Sequence, residues 1–145
     1  MAILYDADYN KWVEETVKQL QKKDYAAVDW DNLIEEVADL SGRERDKLES
    51  LLTVLFEHLL MIAYWESERD YNLRGWLGEI QNFRIQIRRL LKKSPSLKSY
   101  LVFIFDECYL DARKITIKKT GLNSEIFPLS PIATLDEILE DDWLP

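Results

Sequence analysis

The chain has one cysteine, one histidine, four glycines and four prolines in 145 residues. A lone Cys108 excludes an intrachain disulfide, so nothing points to an oxidising compartment. So few glycines and prolines leave long stretches without a helix breaker. Long apolar runs are scarce too. The longest, Leu59 to Trp65, is too short to span a bilayer and is flanked by charge. The N-terminal "MAILYDADYNKW" lacks the basic-then-apolar order of a signal peptide. Positive charge is also in short supply: 19 Lys and Arg against 27 Asp and Glu give a net −8, with a pI near 4.7. That balance argues against the whole surface binding nucleic acid or an anionic membrane, because phosphate attraction needs basic surface. The expectation is a cytoplasmic protein, with neither membrane nor nucleic acid as its partner.

What is plentiful is apolar and aromatic. Hydrophobic residues make up 47% of the chain and aromatics 12%, with five Trp, seven Tyr and five Phe. That is enough for the core of one domain spanning residues 1–145.

Periodicity and capping residues predict an all-α helical bundle of four to five main helices. The first covers about Asp8 to Lys22, with Tyr5, Tyr9, Trp12, Thr16 and Leu20 along one side. The second covers about Asp31 to Leu40 and is expected to bury Leu33, Val37 and Leu40. "SGRE" at Ser41 to Glu44 matches a capping box, which would open a third helix from about Arg43 to Glu66. A fourth is expected over Leu73 to Lys93. Ser94-Pro95 then offers an N-cap and a first-turn proline for a fifth, running to about Lys119 and stopping at Gly121. "TLDE" at Thr134 to Glu137 is another capping box, starting a short acidic helix. "SYLVFIF" has strand-forming composition, but the 3.6-residue period continues through it to Ile115.

The histidine stands inside the most apolar stretch, "LLTVLFEHLLMIAYW". At about 100° per residue, Leu51, Leu55 and Ile62 lie on the same side as His58, so it is expected to face inward. Arg84 falls in the stripe of Leu73, Trp76, Leu77, Ile80, Ile87 and Leu91. Asp111 falls in that of Leu97, Tyr100, Leu101, Ile104, Cys108, Ala112 and Ile115, and Glu36 sits at the edge of a third. An arginine cannot shed its proton, so a buried Arg84 is expected to pair with a carboxylate, Asp111 first or Glu36 second, with His58 hydrogen-bonded into the pair. The cluster reads first as a structural contact that fixes helix register. As chemistry it would be an acid/base or metal-assisted hydrolase using Glu36, His58 and Asp111, with Arg84 beside them. The paired Glu-x-x-His motifs of a di-iron bundle and any nucleophile elbow are missing, so no cofactor or metal is expected.

Charge is also segregated. From Asn72 to Lys98 there are seven basic residues and one acidic, a net +6 that leaves −14 for the rest. Arg89, Lys92 and Lys93 fall outside the apolar stripe, and with Arg88 they form the candidate binding patch for an anion or a nucleic acid. A solvated face offset by acidic neighbours is the simpler reading.

The order of "YDADYNKW", "DWDNLIEEVADLSGRERDKLESLLTVLFEHLL", "GWLGEIQNFRIQIRRLLKKSPSLKSYL", "FDECYLDARK" and "TLDEILEDDWLP" resembles the bacterial domain-of-unknown-function family 29 over nearly the full length. The resemblance implies a small helical protein with no established activity. Trp12, Glu36, His58, Trp76, Arg84 and Asp111 match residue types in the family pattern. Met61 and Ile62 follow "HLL" where related chains usually read Lys-Trp, and Asn82 stands where they often carry a glutamate. Those departures weigh against catalysis. The expected function is a non-catalytic interaction or regulatory module, as a homodimer or with a protein partner.

Overall fold

In the computed structural model, which describes residues 3–145, the chain forms six α-helices and no strand among those residues. They are α1 (Leu4–Ala7), α2 (Tyr9–Gln21), α3 (Trp30–Tyr64), α4 (Glu66–Lys93), α5 (Leu97–Thr120) and α6 (Leu135–Leu139). The all-α expectation holds, with four long helices and a short C-terminal one.

Several caps are where the sequence puts them. The Asp8 carboxylate accepts from the Lys11 amide at 3.0 Å and opens α2. Gly121 ends α5 with φ 69°, a left-handed conformation that costs glycine little. Thr134 and Glu137 close a reciprocal capping box at 3.2 and 3.0 Å.

Three boundaries differ from expectation. No break occurs at Ser41 to Glu44; α3 runs straight through as one helix of 35 residues. A glycine inside a helix costs only about 1 kcal/mol, and good helix formers flank Gly42 on both sides with no proline near. Ser94 does not cap α5. It ends α4, its amide bonded to the Leu90 carbonyl at 2.8 Å, and α5 begins at Leu97. The ring of Pro95 keeps the preceding residue out of the helical region, and Ser94 accordingly sits at φ −133°, ψ 78°. The same dipeptide that can start a helix here stops one. α4 also begins earlier than Leu73, at Glu66, where Glu66 and Glu68 suit the positive end of a helix.

The chain divides into two compact units, Met1–Arg43 and Glu44–Pro145, with the division falling inside α3. In the C-terminal unit, α3 contributes Leu48, Leu52, Leu55, Phe56, Leu59 and Leu60 to a core completed by Ile80, Ile87, Leu101, Ile104, Tyr109 and Ile138. Phe56 meets Phe105 and Tyr109 edge-to-face, each at 5.1 Å. The loop after α5 is tied down by Tyr109, which donates to the Pro128 carbonyl at 2.6 Å, and by Arg113, which donates to the carbonyls of Phe127 and Ser124.

The N-terminal unit is a helical hairpin. Trp12, Thr16 and Val28 are its buried side chains, and Tyr5 packs edge-on against Trp12 at 4.8 Å.

Candidate functional site

Arg84 is buried as expected, with 1% of its surface exposed. Its partners are not carboxylates. Nε donates to the Ile138 carbonyl at 2.7 Å, and the two terminal nitrogens donate to the carbonyls of Asp141 and Trp143 at 3.0 and 2.7 Å. The expected Arg–carboxylate pair is therefore replaced by a cradle of three main-chain oxygens. A planar guanidinium suits that role, because its fork of donors can serve several acceptors at once. The C-terminal segment leaves α6 as soon as it ends at Leu139, so its carbonyls are free of helix bonding and available to Arg84. Burial pulls the Arg84 pKa down, while the nearby acids Asp141, Asp142 and Glu140 push it up.

The other members of the expected cluster lie elsewhere. Asp111 is exposed, and among the described residues it has neither hydrogen bond nor ion pair to Arg84 or His58. The buried line of α5 runs Leu97, Leu101, Ile104, Cys108, Ala112, Thr116, mostly in steps of four. Each such step advances about 40° past a full turn, so the buried face creeps round the helix and leaves Asp111 in water. Ile115, placed in the core stripe by the sequence, is exposed for the same reason. His58 is half-buried. Its Nδ1 lies 2.7 Å from the carbonyl of Val54, one turn back on α3, and its ring meets Phe83 edge-to-face at 5.2 Å. Glu36 accepts from the hydroxyls of Tyr5 at 2.5 Å and Tyr9 at 2.7 Å, with Arg43 3.9 Å away. The Tyr5 bond, then the Tyr9 bond, holds its carboxyl below the ordinary glutamate range, and the same contact pushes the Tyr5 phenol up to about 12. Within the C-terminal unit His58 and Asp111 thus do not meet, and Glu36 is engaged by the tyrosines of its own unit. Among the described residues no three His, Cys, Asp or Glu side chains form a cluster able to hold a metal.

The candidate anion patch on α4 is partly neutralised within the C-terminal unit. Arg88 pairs with Asp141, which also accepts from Gln81, and Lys93 meets Glu44 at 2.9 Å. Arg89 and Lys92 are exposed. One ion pair of a buried carboxylate with an exposed lysine has no counterpart in the sequence reading. Glu57 is 3% exposed and accepts from Lys119 at 2.8 Å. It sits one residue from His58, and only its spacing to the apolar positions of α3 could have flagged it. Beside it, a groove of about 400 Å³ is lined by Asp46, Glu49, Thr53 and Ile115.

An exposed apolar surface lies in the N-terminal hairpin. A groove of about 230 Å³ runs between Val13, Val17 and Leu20 of α2 and Leu33, Val37 and Leu40 of α3, with Trp12 in its floor. Val37 is 58% exposed and Leu40 57%, and Ile34 beside them is 63% exposed. This corrects the expectation that Val37 and Leu40 are buried. Their period is that of a core-facing stripe, but neither α2 nor the four-residue α1 of the same unit covers it.

The model of the domain of unknown function DUF29 matches residues 4–144. The chain belongs to this family. No curated protein and no solved structure matches it. The DUF29 match spans both compact units, so the hairpin with its open groove and the core cradling Arg84 are both part of the family's domain. No helix among the described residues is long and apolar enough to cross a membrane.

Proposed function

We propose that this DUF29 protein is a protein-interaction module whose docking surface is the apolar face of the N-terminal hairpin. One observation carries the reading: Ile34, Val37 and Leu40 stand in water in helical register beside a groove walled by Val13 and Val17. Burying apolar surface is worth roughly 25 cal/mol per Å², so a stripe of this kind gains most by acquiring a cover. Contiguous exposed apolar surface with a polar rim is a common mark of a binding face.

The test compares the wild-type chain with a double variant, Ile34→Gln and Val37→Gln, which keeps helix-forming residues and removes the apolar stripe. Each is immobilised and exposed to cell extract, and captured proteins are identified and then re-bound in purified form. A defined partner that binds the wild type and is lost with the variant is expected. Equal behaviour of the two chains, in capture and in self-association, would refute the reading.

A further inference from the structure

The N-terminal hairpin carries ten acidic residues against five basic ones, a net −5 over residues 1–43. Their placement around the groove is uneven. At about 100° per residue, Glu14 follows Val17 at the outer edge of α2, while Lys11 and Lys18 turn to the far side of that helix. On α3, Asp31 succeeds Ile34 at the opposite outer edge in the same way, while Glu35, about 100° past Ile34, turns as far from the groove as Lys18 does past Val17. The two edge carboxylates, Glu14 and Asp31, are exposed. Among the residues lining the groove the cation is Arg43, and it already faces Glu36 at 3.9 Å. The groove is thus an apolar floor between two acidic rims.

We infer that its occupant is an amphipathic helix of a partner protein, with an apolar stripe flanked on both sides by lysine or arginine; this rests on the docking-surface reading above. Two helices side by side leave a trough shaped for a third, the arrangement in which a helix lays its apolar face into a groove and anchors through positions i, i+3 or i+4, and i+7. The 13 residues of α2 give a trough about 20 Å long, enough for three to four turns. Basic flanks would meet Glu14 on one rim and Asp31 on the other. A second copy of the hairpin would set acidic rims against acidic rims, an arrangement that like charges disfavour. An anionic lipid surface is repelled by the same carboxylates.

The probe is a pair of fluorescent 18-residue synthetic helices with one leucine stripe, one flanked by lysine and the other by glutamate, titrated by anisotropy into the full chain. Saturable binding of the lysine peptide is expected, weakened by about tenfold or more in the Ile34→Gln/Val37→Gln variant. Binding should also weaken as salt rises, and the glutamate peptide should bind at least about tenfold less well. In the variant Glu14→Lys, Asp31→Lys the preference should pass to the glutamate peptide. Circular dichroism checks that each variant remains helical. Equal affinity for both peptides, or lysine-peptide binding unchanged by the loss of Ile34 and Val37, overturns the inference. So does a wild-type dimer, seen by sedimentation, that the double variant abolishes; that outcome removes the basic partner and leaves the docking face standing. If the face binds no peptide, no protein and no second copy, the docking reading falls as well.

Discussion

The two halves of α3 are equally helical and differ in what they bury. From Trp30 to Arg43 no side chain is buried, whereas from Leu48 to Ile62 ten are, with Leu52, Leu55, Phe56, Leu59 and Leu60 sealed completely. Both halves have an amphipathic period and few breakers. Helix propensity and pattern therefore decide that a segment is helical, while burial depends on what the fold supplies to cover it. In the C-terminal unit α4, α5 and α6 supply the cover. In the N-terminal unit α2 covers one flank alone, and the apolar residues on the other flank stay in water.

The sharpest test of that contrast is cavity formation. Phe56 is fully buried between Phe105 and Tyr109. Phe56→Ala is expected to destabilise the C-terminal unit by roughly 3–5 kcal/mol, read as a shift in urea midpoint. A loss below about 1 kcal/mol would mean the core is looser than its burial implies.

Arg84 comes next. Arg84→Met keeps much of the side chain's volume but strands the carbonyls of Ile138, Asp141 and Trp143. Each buried acceptor without a donor costs about 1–3 kcal/mol, less where water can reach it, so a loss of about 3 kcal/mol is expected. Hydrogen exchange should show α6 and the residues after it losing protection before α3 does. If the tail stays protected, the guanidinium is not what holds it.

Much of this could be read from the sequence, and the exceptions have physical causes. Arg84 was correctly placed inside because four apolar neighbours on α4 outvote one charge. Its partners were misread because carboxylates are visible as residue types while free carbonyls are not; any residue beyond a helix end supplies them. Asp111 was misplaced by assuming that the buried face of α5 keeps to one side along its length. The period of Val37 and Leu40 predicts a core position because periodicity reports a face, and says nothing about whether another helix lies over it. Ser94-Pro95 marks a helix boundary, yet composition does not say on which side the helix lies.

The third comparison is in pH. In the N-terminal unit Glu36 is held below its ordinary 4.5 chiefly by the Tyr5 hydroxyl. A carboxyl whose folded pKa is depressed stabilises above the unfolded value, and that contribution is lost as pH falls through the folded one. Tyr5 is raised from 10.0 to about 12, so its contribution is complete below pH 10.0 and is lost as pH rises through about 12. Hairpin protection, followed by amide exchange or by tyrosine fluorescence, should therefore weaken at both extremes. Glu36→Gln should flatten the acid limb and remove the upward displacement of the tyrosine titration. An unchanged titration of Tyr5 in that variant would show that the contact is not made in solution.

The smallest expected effect is the most informative about the hairpin. Ile34 and Val37 are more than half exposed, so the Ile34→Gln/Val37→Gln variant removes little buried surface from the free protein. Its stability should stay within about 0.5 kcal/mol of wild type. Leu52→Gln and Leu55→Gln, the same kind of change at sealed positions of the same helix, should be severely destabilising, because each buries an amide with no partner. A large stability loss in the Ile34/Val37 variant would mean that something covers the stripe even in the purified protein. Dependence of that loss on protein concentration would then identify the cover as a second copy, since self-association stabilises by mass action whereas a contact within one chain does not.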